Sequence, residues 1–331
     1  MSERLILAVD GGGSKTDLVL AREDGSLLAL VRGPLSSPQL LGVERSLETL
    51  SDLFERACGQ AGLSPTPAPV AEVAQILLSG LDYPADEETF HELVSVRGWA
   101  AKTFVGNDTF AVLRAGSESG WGVAVVCGTG MNCVGIAPDG RRVRFPALGE
   151  ISGDWGGGQD VGLAALVAAV RSEDGRGPAS TLERKVPAFF GLEKPLELTE
   201  ALHFGTINAE RICELAPVVL DEATIDPIAA AIVDRLAAEV VAFARVALLR
   251  LELTSQPVQV LLGGGLLQAG NVRLLERIEA GLRELDPEIA IHVNDSPPVV
   301  GAALLALDEI GAAAEAKERL RREIVEAVGR L

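Results

Sequence analysis

LILAVDGGGSKTDLVLA, at residues 5–21, is an apolar run of the β type that stops at three consecutive glycines and then resumes. The stretch WGVAVVCGTGMNCVGIA, at residues 121–137, repeats this plan around a second glycine turn. An acid–glycine pair typical of a hairpin follows each stretch, at 24–25 and at 139–140. The repeat predicts two related halves, each of which opens with strands joined by a glycine turn.

The glycine turns differ from two familiar nucleotide-binding motifs. Residues 10–16, DGGGSKT, lack the Gly-x-x-x-x-Gly-Lys-Ser/Thr spacing of a P-loop, and a strand follows them where a dinucleotide fingerprint needs a helix. Consecutive glycines permit close backbone approach and positive φ angles, so that N–H groups can turn toward an anion. The turns are either plain hairpins or, facing each other across a cleft, a clamp for the phosphates of a nucleotide.

The rest of the chain alternates predicted strands and helices, which indicates an α/β fold. The predicted strands lie at 73–78, 103–105, 258–262 and 289–293. The predicted helices lie at 43–61, 87–96, 224–252 and 271–285, with a final helical region of one or two helices after Pro298. The length of 331 residues favours two domains, at about 100–200 residues for each.

Charge and cysteine content limit the possible partners and location. A net charge of −18 works against nucleic acid and anionic membrane surfaces, because both are negatively charged. Four scattered cysteines without a C-x-x-C pair predict reduced thiols. The first apolar run meets Asp10 too early for a signal peptide, and no apolar run reaches the roughly 18 residues that span a bilayer. A cytoplasmic protein without nucleic-acid or membrane partners is expected.

Residues in and beside the turns carry the predicted phosphate chemistry. A phosphate site in so acidic a chain must be local, built from backbone N–H groups and Mg²⁺. Asp10 is predicted to hold Mg²⁺, and the Thr129 hydroxyl to donate to phosphate, while Asn132 can reach a neighbouring polar ligand. A third glycine cluster, at 263–265, suits either a flat adenine lying against bare backbone or an ordinary turn.

The order of these motifs resembles the superfamily of sugar kinases, actin and heat-shock chaperone ATPases. The specific pieces are the two glycine turns, GND at 106–108, GDWGGG at 153–158 and PVVGAA at 298–303. Within the superfamily the chain is similar to the BadF/BadG/BcrA/BcrD ATPase family, and more narrowly to its N-acetylglucosamine kinase branch. The resemblance implies two duplicated ribonuclease H-like (actin-like ATPase) domains with an interdomain cleft, residues 1–116 with about 299–331 and residues 117–298.

The resemblance also implies an activity, ATP- and Mg²⁺-dependent phosphorylation of an amino sugar. The leading acceptor is N-acetylglucosamine, giving its 6-phosphate, and a homodimer is expected from the relatives. The implied nucleotide-binding residues are Gly11, Gly12, Gly13, Ser14, Lys15, Thr16, Gly128, Thr129, Gly130, Gly264 and Gly265.

Asp108 is the implied catalytic residue. A sugar hydroxyl is a poor nucleophile at neutral pH, so phosphoryl transfer needs a carboxylate that orients it and accepts its proton. Asp108 follows a buried-type strand, where the family places this base. The structural alternative is a helix N-cap, because a helical run begins at this point.

The implied substrate-binding residues lie in several loops. They are Ser37, Ser79, Gly80, Asn107, Asp108, Asn132 and Asp154. Asp154 can accept sugar hydroxyls or, alternatively, bond to its own loop. The chain departs from the family at GDWGG, where GDEGS is usual, at ALGE in place of a preceding Gly-Trp-Gly, and at Ser36-Ser37, where an asparagine is usual. These departures bear on the identity of the sugar.

Other functions predict different observations. Glucosamine and N-acetylmuramic acid are alternative acceptors. An ATPase that activates dehydratases or benzoyl-CoA reductases would need an iron–sulfur cluster; Cys127 fits that reading, but Cys133 lies inside a predicted strand and no suitable cysteine lies near residue 160. An actin-like filament would assemble on addition of ATP.

Overall fold

The fold is described from a computed structural model that covers residues 4–67 and 69–331 of the chain. The strands form two five-stranded sheets. They are β1 (Leu5–Gly11), β2 (Lys15–Arg22), β3 (Leu27–Pro34), β4 (Ala71–Leu78), β5 (Ala100–Asn107), β6 (Gly122–Cys127), β7 (Met131–Ile136), β8 (Arg142–Arg144), β9 (Gln259–Gly263) and β10 (Ala290–Val293).

The helices lie before, between and after the sheet strands. They are α1 (Pro38–Leu41), α2 (Val43–Ala61), α3 (Pro84–Ser95), α4 (Thr109–Gly116), α5 (Gly157–Glu173), α6 (Leu182–Phe189), α7 (Pro195–His203), α8 (Ala216–Glu222), α9 (Pro227–Arg250), α10 (Gly265–Gln268), α11 (Val272–Leu285), α12 (Pro298–Glu309) and α13 (Ala314–Val328). Short 3₁₀ helices occupy Gly149–Ile151 and Ala209–Leu215. In the part of the chain covered, no helix is long and apolar enough to cross a membrane.

The two sheets have the same topology, which confirms the predicted duplication. The first has the strand order β3-β2-β1-β4-β5 and the second β8-β7-β6-β9-β10. In the first sheet, β1 pairs antiparallel with β2 and parallel with β4, and β4 pairs parallel with β5. In the second, β7 and β8 are antiparallel, and β9 and β10 are parallel.

The chain divides into two compact units. The first extends up to Ala124 and also contains Pro138–Gly140 and Asn294–Leu331, while the second contains Val125–Ala137 and Arg141–Val293. The sequence-based division at 116/117 and 298/299 stays a prediction. The boundary between Ala124 and Val125 falls within β6.

Alternation along the strands builds two apolar layers in the first unit. Odd-numbered residues of β1, such as Leu7 and Val9, pack in one core with α2 and α3. Even-numbered residues, such as Ile6 and Ala8, pack in the other core with α12. Because successive side chains point to opposite faces of a sheet, a strand with both faces covered is apolar throughout. This accounts for the unbroken run in β1 that ends at Asp10.

Candidate active site

The carboxyl ends of three parallel strands bring the predicted residues of the first unit together. Asp10 on β1 is in register with Leu77 on β4, and Leu78 is in register with Asn107 on β5. The Ser79 N–H donates to the Gly11 carbonyl at 2.8 Å, and the Asp108 N–H to the Leu78 carbonyl at 3.3 Å. Asp10, Ser79 and Asp108 therefore share one edge of the sheet, where ligands bind in open α/β sheets.

The first glycine turn is a tight hairpin with an exposed tip. The Gly12 N–H donates to the Lys15 carbonyl at 2.9 Å, and Gly13 and Ser14 are exposed. The expected positive φ angles are absent at Gly11, Gly12 and Gly13. At Gly11 the requirement is space, because a Cβ atom there would collide with the Ser36 hydroxyl and the Leu78 side chain.

Thr16 is buried behind this turn. Its hydroxyl lies 2.8 Å from the Pro34 carbonyl oxygen and 2.7 Å from the Ser36 hydroxyl. The side chain is thus bonded inside the unit and holds the end of β3 against β2. Its contact with phosphate stays a prediction.

The buried Asp17 and the half-buried Arg32 form an ion pair that the sequence analysis missed. Arg32 binds both carboxylate oxygens of Asp17, at 2.6 and 2.8 Å, and Lys15 Nζ lies 3.3 Å from Asp17 Oδ2. The sequence does show an acid on one predicted strand and an arginine on the next. Only the register of β2 and β3 shows that these two residues pair. The predicted phosphate ligand Lys15 is thus held by a residue outside the predicted site.

Asp10 is a buried carboxylate in a crowded electrostatic environment. Burial raises its pKa well above the usual value, and the charges of Asp108 and Asp17 raise it further. Lys15 and Arg32 act in the opposite direction. A bound divalent cation would stabilise the ionised form, because an opposite charge nearby favours a carboxylate.

Asp108 occupies the N-cap position of α4 without capping the helix. Its side chain accepts no cap hydrogen bond, and the Asn107 Oδ1 atom instead accepts from the Thr109 N–H at 3.0 Å. Burial raises the pKa of Asp108 to about 6, although hydrogen bonds around Thr109 oppose the shift. A half-buried carboxylate with a pKa near neutrality and no capping role is suited to act as a general base.

Asn107 supports this arrangement from within the unit. It is buried, and its Nδ2 atom donates to Asp82 Oδ1 at 3.0 Å. With Oδ1 bonded to the Thr109 N–H, the amide is engaged at both ends. Asn107 thus fixes the backbone at Asp108, and its predicted contact with substrate stays a prediction.

The serine loops lie beside the glycine turn. A Cβ atom on Gly80, where φ is +78°, would lie 2.7 Å from the Ser37 hydroxyl, so the two loops touch. Ser37 is buried, and the Ser79 Oγ atom is buried without a hydrogen-bond partner among the described residues. A buried hydroxyl without a partner costs free energy, which a ligand can recover by bonding to it.

In the second unit, the second glycine turn packs on the start of α5. The Gly128 N–H donates to the Gly130 carbonyl, and the Gly158 N–H donates to the Gly128 carbonyl, at 2.9 and 2.8 Å. The Gln159 N–H donates to the Thr129 carbonyl at 3.0 Å. Thr129 and Gly130 remain exposed. These bonds occupy the Gly158 and Gln159 N–H groups at the start of α5, and the predicted contact of the turn with phosphate stays a prediction.

Residues 156–158 are therefore part of this arrangement, although the sequence analysis placed them only in a sugar loop. Gly157 has a φ of +79°, and a Cβ atom there would lie 2.5 Å from Gly130 backbone atoms. Gly128 and Gly130 do not have positive φ angles. A Cβ atom on either of these two residues would meet nothing within 4 Å, so the requirement for glycine lies at Gly157 and not in the turn itself.

Gly264 lies against the backbone of β6. Its φ is +86°, and a Cβ atom would lie 2.6 Å from the Cys127 carbonyl carbon, whereas Gly265 has open space around it. Asn132 on β7 uses its Oδ1 atom to accept from the Cys133 N–H at 2.7 Å. The predicted nucleoside and polar-ligand contacts of these residues stay predictions.

Asp154 is bonded within its own loop, as the structural alternative expected. It accepts from the Gly149 N–H at 2.9 Å and from the Ser152 hydroxyl. It also lines a cavity of about 210 Å³ together with Phe145, Phe243 and Glu239. The loop bonds hold the carboxylate in place, and the cavity gives it access to a small molecule.

The cysteines do not form a metal site. Burial raises the pKa of Cys127 to about 12 and also raises that of Cys133, which disfavours thiolates. Residues 4–67 and 69–331 contain no group of three or more His, Cys, Asp or Glu side chains that could hold a metal ion. This arrangement gives no support to an iron–sulfur cluster.

The duplicated sheets define a class, the two-domain actin-like ATPase fold. The profile of the BadF/BadG/BcrA/BcrD ATPase family matches residues 7–306, and the chain belongs to this family. A crystal structure from Chromobacterium violaceum, of a provisionally named N-acetylglucosamine kinase, is similar with a TM-score of 0.73 and 29% identity. The match covers 92% of this chain and all of the other. A ROK family glucokinase from Streptomyces griseus, solved with glucose and AMPPNP, shares the fold at a TM-score of 0.51 and 18% identity, over 92% and 99% of the two chains.

Curated relatives carry related names. The N-acetylmuramic acid/N-acetylglucosamine kinase of Clostridium acetobutylicum is 30% identical over 219 residues, which cover 65% of this chain and 70% of the relative. The N-acetyl-D-glucosamine kinase of Dictyostelium discoideum is 24% identical over 317 residues, 93% and 99% of the two chains.

Proposed function

We propose that this protein is an ATP-dependent kinase of an amino sugar, with N-acetylglucosamine as acceptor and N-acetylglucosamine 6-phosphate as product. The observation that carries the proposal is Asp108, a half-buried carboxylate at the end of β5 that does not cap its helix and has a pKa raised to about 6. The names of the relatives support the substrate class. Membership of an ATPase family supports ATP as the phosphoryl donor.

In this proposal Asp108 orients the 6-hydroxyl group and accepts its proton. The hydroxyl oxygen forms a bond to the γ-phosphorus of ATP, the bond from that phosphorus to the β–γ bridging oxygen breaks, and ADP leaves. A base of this kind typically contributes about 10²–10⁴ to the rate. A pKa near 6 leaves Asp108 ionised at neutral pH and still basic enough to take the proton.

The glycine turns hold the nucleotide in this proposal. The turn of Gly11–Thr16, including Ser14 and Lys15, and the turn of Gly128–Gly130 are proposed to bind phosphate, and Gly264-Gly265 the nucleoside. Positive charge on the first turn comes from Lys15, whose side chain is 46% exposed and anchored to Asp17. Local donors are needed because the chain as a whole carries a charge of −18.

Mg²⁺ is the metal that the proposed reaction needs, and Asp10 is the residue proposed to hold it. Mg²⁺ in kinases is usually bound by one or two carboxylates, waters and the substrate phosphates, so a cage of protein ligands is not required. Asp10 fits because it is a buried oxygen donor close enough to Asp108 for their charges to interact. When bound, the ion neutralises charge on the transferred phosphoryl group.

The acceptor site is proposed to include the serine loops and Asp154. Ser79 supplies a buried hydroxyl without a partner among the described residues, and Ser37 and Gly80 lie beside it. Asp154 faces a cavity through a carboxylate that its loop already orients. Hydrogen bonds of this kind discriminate between sugars, because a missing partner leaves buried groups unpaired.

N-acetylmuramic acid is the second candidate acceptor, favoured by the name of the Clostridium acetobutylicum relative. The proposal also includes a cytoplasmic location and a homodimer, as the family resemblance leads one to expect. No nucleic-acid or membrane partner is proposed, in keeping with the net charge of −18.

An acceptor screen tests the proposal. ADP release is coupled to a spectrophotometric assay with N-acetylglucosamine, N-acetylmuramic acid, glucosamine, N-acetylmannosamine and glucose, and without sugar as the control. We expect ADP release to depend on an N-acetylated amino sugar, with a sugar 6-phosphate identified by mass spectrometry and NMR. ADP released equally fast without sugar would reject the kinase and favour the ATPase activator.

A further inference from the structure

The strand register places a row of charged side chains across β1, β2 and β3. Asp10 pairs with Asp17, and Asp17 pairs with Arg32, in adjacent antiparallel strands. Directly paired residues project from the same face of a sheet. The preceding row on this face is the apolar set of Ala8, Val19 and Leu30. The charged row therefore continues a core-facing surface at the end of the sheet that carries the first glycine turn.

Asp17 is the centre of this row and binds two cations. Its side chain is 1% exposed, and both oxygens accept hydrogen bonds from Arg32, at 2.6 and 2.8 Å. Lys15 Nζ lies 3.3 Å from the Oδ2 atom of the same carboxylate. A bidentate arginine–carboxylate pair restricts both partners to one geometry. One buried carboxylate thus fixes the position of two positive charges beside the turn.

The cations are needed because Asp10 and Asp17 face each other directly. Like charges at directly opposed positions of a sheet destabilise it, and buried charges require compensation. Arg32 and Lys15 supply that compensation, and both interact electrostatically with Asp10 as well. With these two cations in place, Asp10 and Asp17 can lie directly opposite each other in the sheet without a bound ligand.

We propose that Asp17 is a positioning residue, which holds Arg32 and Lys15 at the first glycine turn so that the turn presents one carboxylate, Asp10, to a metal ion and one cation, Lys15, to phosphate. The inference rests on the proposed function for its metal and nucleotide. Asp17 itself contacts neither. The competing interpretation is an ion pair that only stabilises the sheet.

A second ion pair of the chain provides a matched control. Arg273 binds both oxygens of Asp234 at 2.8 and 2.7 Å, and Arg277 lies 3.3 Å from the same carboxylate. This pair joins α11 to α9 and includes none of the residues proposed to bind nucleotide or sugar. Its distances match those of Asp17, Arg32 and Lys15, although Asp234 is 35% exposed, so Arg273→Gln removes a bidentate pair remote from the proposed site.

The test measures equilibrium binding, so that it does not depend on catalysis. Calorimetric dissociation constants for Mg²⁺–AMPPNP are compared among the wild type, Asp17→Asn, Arg32→Gln, Arg32→Lys and Arg273→Gln, together with their melting temperatures. We expect Asp17→Asn and Arg32→Gln to weaken binding about tenfold or more, with Arg32→Lys restoring most of it. Arg273→Gln should lower the melting temperature but change binding less than about twofold.

Two further readouts separate positioning from stability. In the kinase assay, the KM for ATP should rise more than kcat falls, and Lys15→Ala should add little to Asp17→Asn, because both changes remove the same held cation. The proposal would be overturned if Asp17→Asn and Arg32→Gln weaken Mg²⁺–AMPPNP binding no more than Arg273→Gln does. If Asp17→Asn does not fold, the proposal is tested by the two Arg32 variants: Arg32→Gln should weaken binding, and Arg32→Lys should restore most of it. If the wild type binds Mg²⁺–AMPPNP but phosphorylates no sugar, the proposed kinase activity is rejected, whereas the positioning role of Asp17 is still decided by the binding data.

Discussion

Asp108 and Asp226 hold the same position at the start of a helix but behave differently. Asp226 caps α9, since its carboxylate accepts from the Ile228 N–H at 2.7 Å and from groups of Ser180 and Thr181. Asp108 makes no such cap, and Asn107 takes over that task for α4. The pKa of Asp226 is lowered, with its hydrogen bonds outweighing burial, whereas burial dominates at Asp108 and raises its pKa. The structural environment, not the residue type, separates a cap from a candidate base.

The raised pKa predicts the acid limb of the pH–rate profile. Because the base must be ionised, kcat/KM for the sugar should fall tenfold per pH unit below about pH 6. Asp108→Asn should reduce kcat by about 10²–10⁴ at pH 7.5 and abolish this limb. Steady-state rates between pH 5 and 9, with ATP and Mg²⁺ saturating, measure both effects.

The stability of the same variant should change in the opposite direction. The pKa of Asp108 is higher in the folded state than in an unfolded chain, so its stabilising contribution is complete below about pH 4 and is lost as the pH rises through about 6. Asp108→Asn should therefore melt at or above the wild-type temperature at pH 7.5, and the difference should shrink toward pH 4. Asp226→Ala is the control, since loss of a functional cap costs about 1 kcal/mol without altering kcat. A folded Asp108→Asn variant that keeps kcat within about tenfold of wild type would contradict the assignment of Asp108 as base.

At the scale of elements, the start of α5 is coupled to the second glycine turn. Two main-chain bonds join them, and Gly157 allows the approach because it has no side chain. The sequence marked both segments as glycine-rich, but only their packing shows that they act together. The end of the same helix is followed by Gly175, whose φ of +80° matches that of Gly157.

A pair of alanine substitutions separates contact from backbone strain. Gly157→Ala and Gly175→Ala should each cost about 1–2 kcal/mol for a left-handed conformation. Only at Gly157 would the new Cβ atom lie 2.5 Å from Gly130, since Gly175 has nothing within 4 Å. Gly157→Ala should therefore lower kcat/KM for ATP by roughly 10- to 100-fold through displacement of the turn.

The measurement is the KM and kcat for ATP alongside the melting temperature of each variant. Gly175→Ala should keep kinetics within about twofold of wild type while losing about 1–2 kcal/mol of stability through its left-handed conformation alone. Equal kinetic losses in the two variants would show that the turn does not depend on its contact with α5.

At the scale of the whole molecule, the charge of −18 opposes the approach of an anionic nucleotide. Repulsion of this kind is screened by salt, because the Debye length falls from about 30 Å at 0.01 M to about 10 Å at 0.1 M. We expect kcat/KM for Mg–ATP to rise about two- to fivefold over that range of ionic strength.

The neutral sugar serves as the internal control for this effect. Its KM should stay nearly constant over the same range of potassium chloride, since screening does not act on an uncharged ligand. A fall in kcat/KM for Mg–ATP with added salt would mean that the local cations at the first turn dominate over the net charge.

Much of the architecture could be predicted because local patterns specify it. The apolar period places α2 at residues 43–61 as observed, and the repeated strand–turn–strand plan predicts the duplicated sheets. The glycine turns, Asp10 and Asp108 can also be identified from the sequence, because each comes at or just after the end of an apolar run. Hydrophobic periodicity and turn chemistry are properties of neighbouring residues, so no tertiary information is needed to read them.

Tertiary structure alone decided which residues act on one another. The link from Asp10 through Asp17 to Arg32 requires the register of three strands. The buried Ser79 hydroxyl, which has no hydrogen-bond partner within residues 4–67 and 69–331, is found only once β4 is packed beside β1. Gly157 meets Gly130 although 27 positions separate them in the numbering, and Gly11 is needed for space instead of for an unusual φ angle. Sequence by itself determined the elements and the kinds of chemistry that they carry. The burial, charge and spacing that shift a pKa or leave a hydroxyl unpaired arise from through-space contacts, which exist only after the chain has folded.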